Sequence, residues 1–334
     1  MNKPRVLLTH GETARRNYYG AGPLAALQEI ADVRLNESDA PLLGDALVEA
    51  ARDCVAIISD RQAAPPPALF AALPGLALFQ RCAVDVRNID LDAASAAGVL
   101  VTHASPGFAN AVAEWCLGAM LDLARNVSDS VHAWRSGVAP AIRMGVELRG
   151  ATLGIVGYGV IGSRLGELGA ALGMRVVVAD PFADAQPPVT RVPLARLLAE
   201  ADWLVCLAPA SARNEKLMDA AAFAAMKSGA FFVNASRGEL VDEAALLRAL
   251  DSGRLAGCAL DVGRAEDQMP SPLLAAHPRV VATPHIAGLT PQAAEHQARE
   301  TVAQLAQLLA GRMPVGALNP GQATRLHLLH GART

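Results

Sequence analysis

The run from Leu153 to Gly166, Leu-Gly-Ile-Val-Gly-Tyr-Gly-Val-Ile-Gly-Ser-Arg-Leu-Gly, constrains the fold more than any other stretch. An apolar strand enters a glycine turn and leaves as a helix, with Gly157, Gly159 and Gly162 in the G-x-G-x-x-G spacing. Gly157 permits the sharp turn, Gly159 has no side chain to hold off a pyrophosphate, and Gly162 lets the helix lie close against its strand. Tyr158, Val160 and Ile161 share this turn and belong to the same cofactor cradle. The anion would rest on free amides at the helix N-terminus, where aligned peptide dipoles favour negative charge.

The surroundings strengthen the motif. A helix from Ser163 to Leu172 stops at Gly173, and Arg175-Val176-Val177-Val178-Ala179 reads as a second buried strand ending at Asp180. That acid stands roughly 20 residues past the glycines, where a carboxylate accepts hydrogen bonds from the adenosine ribose. A 2′-phosphate would be repelled there, and Pro181-Phe182-Ala183-Asp184 carries no Arg or Lys, so NAD is favoured over NADP.

A chain of 334 residues suits two domains, and 52% apolar against 18% charged residues supplies two cores. The net charge of −3 gives no electrostatic case for nucleic acid or an anionic membrane as partner. No apolar run reaches the roughly 20 residues of a membrane span. Residues 1–4 lead into a strand and not a signal peptide, so a cytoplasmic location is expected. Cys54, Cys82, Cys116, Cys206 and Cys258 are odd in number and far apart; they read as reduced thiols with no metal site.

Strands and helices alternate throughout, which predicts an α/β protein of two doubly wound parallel-sheet domains. Before the cradle, strands are expected at residues 5–9, 32–35, 54–58, 76–79 and 100–102, with helices between them. After it they are expected at 175–179, 203–207, 230–234, 257–261 and 280–283. A long helix from Phe108 to Arg125 carries Val112, Trp115, Cys116, Ala119, Met120 and Leu123 at helical spacing. Residues 136–140 read as a linker. Pro291 to Ala310 is an amphipathic helix that could return the chain to the first domain, and residues 321–334 read as a mobile tail.

Function in such sheets gathers beyond the carboxyl ends of the strands, and three polar residues stand there: Arg237, Glu266 and His285. Arginine offers a planar fork for a carboxylate, and histidine moves a proton near neutral pH. A glutamate bonded to that histidine fixes its tautomer.

Four segments together resemble the D-isomer-specific 2-hydroxyacid dehydrogenases. They are the cradle, the run Met226 to Leu246 containing Asn234-Ala235-Ser236-Arg237-Gly238, Leu260-Asp261-Val262, and Thr283-Pro284-His285-Ile286-Ala287-Gly288. Ile89-Asp90-Leu91-Asp92, Val112-Ala113-Glu114 and Ala317-Leu318-Asn319-Pro320 extend the similarity over most of the chain. The resemblance implies a Rossmann NAD-binding domain, residues 105–291, inserted into a flavodoxin-like substrate domain made of residues 1–104 and 292–334, with catalysis in the cleft. It implies Arg237, Glu266 and His285 as catalytic residues, with Arg237 on the substrate carboxylate. Asp261 would meet the nicotinamide end of the cofactor, and Pro209, Ala235 and Gly288 would add cofactor contacts. The partners it implies are a small 2-hydroxy or 2-keto acid and a second copy of the chain, joined through the cofactor domain and the 108–125 helix.

The chain departs from the family in one place that bears on substrate. A glycine-rich loop usually holds the substrate carboxylate, whereas Arg81-Cys82-Ala83-Val84-Asp85-Val86-Arg87 has no glycine. An amide cradle from Cys82, Ala83 and Val84 remains open, narrowed by Cβ atoms, and Asp85 would repel an anion unless Arg81 or Arg87 pairs with it. His103 stands where an asparagine is common. Two rival functions are an NADH-sensing regulatory protein of the C-terminal binding protein type, and an enzyme for a small inorganic or one-carbon acid.

Overall fold

The computed structural model describes residues 3–61, 63–265 and 268–330. The chain forms two compact units, Met1–Phe108 with Thr290–Thr334, and Ala109–Leu289.

The first unit runs β1 (Arg5–Leu8), α1 (Glu12–Tyr18), α2 (Ala21–Ile30), β2 (Asp32–Leu35), α3 (Gly44–Ala50), β3 (Ala56–Ser59), α4 (Ala68–Ala72), β4 (Leu78–Arg81), α5 (Leu91–Ala96) and β5 (Leu100–His103). All strands are parallel in the order β2-β1-β3-β4-β5, the flavodoxin-like arrangement. Alternating strand residues feed opposite cores. Val6, Leu8, Ile58 and Leu78 join Leu27, Leu305 and Leu308 on one face, while Leu7, Ile57 and Phe79 join Leu47 and Phe70 on the other. The strand order reverses between β1 and β3. There the hydroxyl of Thr9 donates to the Asp60 carboxylate at 2.7 Å and accepts from the Asp60 amide at 2.9 Å.

The second unit runs α6 (Ala109–Arg125), α7 (Val127–Arg135), β6 (Thr152–Val156), α8 (Val160–Ala171), β7 (Arg175–Ala179), β8 (Thr190–Arg191), α9 (Leu194–Glu200), β9 (Trp203–Cys206), α10 (Ala220–Ala225), β10 (Ala230–Asn234), α11 (Glu243–Asp251), β11 (Leu255–Leu260), α12 (Pro272–Ala275) and β12 (Val280–Ala282). Its seven parallel strands lie in the order β12-β11-β10-β9-β6-β7-β8, with the reversal between β9 and β6. That is the Rossmann switch point, and the glycine turn leaves β6 there. The buried side of α6 packs against α8 and β11, so its apolar stripe is covered by its own unit. The last helix, α13 (Pro291–Leu309), belongs to the first unit; the Thr290 hydroxyl caps it by accepting from the Ala293 amide.

Four expectations change. First, residues 320–330 are anchored. Leu329 is buried in the first unit's core, and the Arg325 guanidinium donates to the carbonyls of Phe70, Leu73 and Leu76. Burial of Leu329 and satisfaction of three carbonyls at and after the end of α4 hold this segment, which the tail reading overlooked. Second, α1 and α7 are helices the pattern did not show, because neither has a buried residue from which an apolar stripe could be read. Third, β8 is a further edge strand. Fourth, β3 and β4 run on into polar residues, Ser59 and Arg81, that the sheet buries.

All five cysteines are buried and free. Among the described residues no group of three or more His, Cys, Asp or Glu could hold a metal. No described helix is long and apolar enough to cross a membrane.

Candidate active site

The three glycines meet three different demands. Gly157 has φ +91°, and a Cβ there would lie 2.5 Å from the Ala208 backbone nitrogen. A Cβ on Gly162 would lie 2.3 Å from the Gly157 carbonyl oxygen, so helix and turn close only over glycine. At Gly159 such an atom would meet nothing within 4 Å. The backbone is therefore open on that side, as a pyrophosphate requires, and the first amides of α8, from Val160 to Gly162, have no intrahelical acceptor. The Tyr158 amide is already engaged: it donates to Asp180 Oδ2 at 2.8 Å.

That bond ties the cradle to the end of β7. Oδ1 of Asp180 accepts from the Phe182 amide at 2.8 Å, which turns the chain sharply after the strand. Each carboxylate oxygen keeps acceptor capacity for a ribose hydroxyl. The residues fit a dinucleotide: an open glycine, free helix amides, and a fixed acid at the next strand end. The structure adds a cation that residues 181–184 do not contain. Arg191 reaches over from β8 and donates to the carbonyls of Pro181 at 2.6 Å and Ala183 at 3.3 Å.

Arg237, Asp261 and His285 follow three adjacent strands. β10, β11 and β12 are parallel neighbours, and Asn234, Leu260 and Ala282 stand in one row of the register. Arg237 lies three residues past that row on one side and His285 three past it on the other. Two strand spacings, about 10 Å, separate the outer strand ends. Both turns are held by buried polar side chains. Asn234 accepts from the Ser236 amide at 3.1 Å and donates to the Arg237 carbonyl at 3.0 Å. Gly238 then abuts the Gly263 backbone so closely that no Cβ would fit.

Asp261, only 1% exposed, organises the other turn. Its Oδ1 accepts from the Thr283 hydroxyl at 2.6 Å and the Ile286 amide at 2.8 Å, and its Oδ2 accepts from the Ala287 amide at 2.8 Å. The turn carries His285 in the left-handed region at φ +56°, a conformation costly for a residue with a Cβ. Asp261 was expected at the nicotinamide end of the cofactor; the bonds it makes within the protein are to the histidine loop. Pro209, Ala235 and Gly288 follow β9, β10 and β12 at this same carboxyl edge. Glu266 lies outside the described residues.

The expected carboxylate cradle belongs to the first unit. The Cys82 amide donates to the Ser59 carbonyl at 2.9 Å, so it is not a free donor, and the cradle narrows to Ala83 and Val84. Neither of those two amides has a hydrogen bond among the described residues. The Asp85 carboxylate accepts from the Arg87 guanidinium at 2.8 and 3.1 Å, which offsets the charge that would repel an anion. Arg81 is fully buried beneath the loop, donating to the Asp60 carbonyl and to Asn88 Oδ1 at 2.7 Å. Burial, opposed by Asp60, lowers its pKa to about 10, and burial raises that of the Cys82 thiol to about 12, so this cysteine is no ready nucleophile.

Sequence reading gave Asn234 and Thr283 no role and missed Arg191. The first two could have been suspected as polar residues closing apolar strands; Arg191 is visible only through the pairing of β7 with β8.

A family model, D-isomer specific 2-hydroxyacid dehydrogenase, NAD binding domain, matches residues 117–287. The chain belongs to the D-isomer-specific 2-hydroxyacid dehydrogenases. Glyoxylate reductase from Aeropyrum pernix is 31% identical over 334 residues, covering 96% of this chain and 97% of that one. D-3-phosphoglycerate dehydrogenase 3, chloroplastic, from Arabidopsis thaliana is 34% identical over 249 residues, which are 73% of this chain and 42% of the other. The chain thus spans about half the length of the phosphoglycerate dehydrogenases it matches. Among solved structures, the TT0316 protein from Thermus thermophilus superimposes with a TM-score of 0.83 at 31% identity, over 94% of this chain and 99% of that one. The matched region, described as an NAD binding domain, contains the glycine turn of the second unit.

Proposed function

We propose that this dehydrogenase interconverts a small D-2-hydroxy acid and its 2-keto acid. NAD, when bound, accepts or supplies the hydride. His285 takes the substrate hydroxyl proton in oxidation and returns one in reduction, with Glu266 stabilising the imidazolium. Arg237 binds the substrate carboxylate through its fork and polarises the developing carbonyl. The observation that carries this reading is the double fixing at one sheet edge, with the Arg237 turn held by Asn234 and the His285 turn held by Asp261. Rigid support of that kind suits groups that must meet a reacting carbon in a fixed geometry.

A small acid is favoured because the relative matched end to end bears the name glyoxylate reductase. The dehydrogenase and reductase names of the relatives favour an enzyme over a sensor of NADH. We also assign a homodimer. Trp134, Val138, Ile142 and Met144 are exposed apolar residues on α7 and the segment after it, and a second copy would cover them.

A screen of 2-keto acids of graded size and charge, followed by NADH consumption, tests the function. Turnover of a small 2-keto acid supports it; tight NADH binding with no turnover of any would replace it with the sensor reading.

A further inference from the structure

Asp180 and Arg191 both bind the backbone of one short turn. Asp180 closes β7 and binds the Phe182 amide at the turn's start. Arg191, paired in register with Val178, grips the carbonyls of Pro181 and Ala183. Its guanidinium is met only by these neutral carbonyls, and among the described residues no carboxylate pairs with it. The end of the cradle where an adenosine ribose would lie therefore carries an anion and a cation on one turn, with no salt bridge to the cation among the described residues.

We propose that Arg191 is a cofactor-specificity residue, a receptor for a 2′-phosphate that the Asp180 carboxylate keeps closed. This rests on the reading that Asp180 faces the adenosine ribose. With the carboxylate in place, a dianionic 2′-phosphate is repelled and Arg191 serves the turn. With that charge removed, the exposed guanidinium exchanges two carbonyl contacts for a bidentate, charge-assisted grip on phosphate, the stronger bond. The preference for NAD is then set by the Asp180 charge, and how far it relaxes when that charge is removed is set by Arg191.

The test measures NADH and NADPH binding to the full chain by fluorescence titration, in wild type, Asp180→Asn, Arg191→Ala and the double variant. Asp180→Asn should raise NADPH affinity relative to NADH by on the order of tenfold. Adding Arg191→Ala should cancel most of that gain, the loss falling on NADPH and growing at low salt, while Arg191→Lys on the Asp180→Asn background should restore only part of it. A general folding defect would weaken both cofactors alike and leave their ratio alone. Asp180→Ser serves should the asparagine disturb the turn. A double variant that binds NADPH as well as Asp180→Asn overturns the assignment of Arg191. A ratio unmoved by Asp180→Asn and by Asp180→Ser overturns the ribose reading of Asp180, and the inference with it.

Discussion

The hydroxyl of Thr283 donates a 2.6 Å hydrogen bond to Oδ1 of Asp261, linking the ends of β12 and β11 directly beside His285. With the Ile286 and Ala287 amides it makes Asp261 the acceptor of three hydrogen bonds in a nearly solvent-free position. Asp261→Asn would turn one acceptor into a donor facing an N–H or O–H. We expect it to cost about 2 kcal/mol of stability and to lower kcat by more than it raises KM, because the histidine loop loses its anchor. Denaturant unfolding and steady-state kinetics on one preparation check both parts.

Arg237→Lys should raise the substrate KM and lower kcat, since an ammonium point charge does not reproduce a planar fork. Kinetics equal to wild type would place the carboxylate elsewhere.

His10 makes an acid-stability prediction. Burial, reinforced by Arg15 and Arg81 and opposed by Asp60, pushes its pKa down from 6.5 to about 4. Between those values the unfolded chain binds the proton and the folded one does not. Stability from this group is therefore present above pH 6.5 and is lost as pH falls toward 4, by about 3 kcal/mol over the window. In His10→Gln the drop in unfolding free energy between pH 7 and pH 4 should shrink by a comparable amount, as read by urea titration at the two pH values.

The C-terminal segment is expected to contribute to folding. Leu329→Ala removes a buried side chain from the first unit's core and should cost roughly 2–4 kcal/mol, lowering the melting temperature. A melting temperature unchanged by the substitution would show that residues 320–330 are dispensable.

Most of the architecture was legible because buried parallel strands announce themselves as apolar runs, and the glycine turn fixes where one sheet reverses. The sequence reading failed where burial leaves no periodic trace. Helices α1 and α7 have no buried face to read, β8 is two exposed residues, and Arg81 is a charge inside a strand end. In the site, Arg237 and His285 stood out by type and position. The roles of Asn234, Thr283 and Arg191 come from hydrogen bonds across 3 to 22 residues of chain, which no local pattern encodes. Asp261 was singled out for the cofactor, and its hold on the histidine loop appears only once β11 and β12 are paired.

In the proposed reaction His285 moves the proton while other groups bind the dinucleotide. His285→Ala, assayed on the same sample for turnover of a 2-keto acid and for NADH binding by fluorescence titration, tests it most directly. Turnover should fall by at least about a hundredfold with NADH affinity retained; turnover at the wild-type rate would remove His285 from the proton transfer.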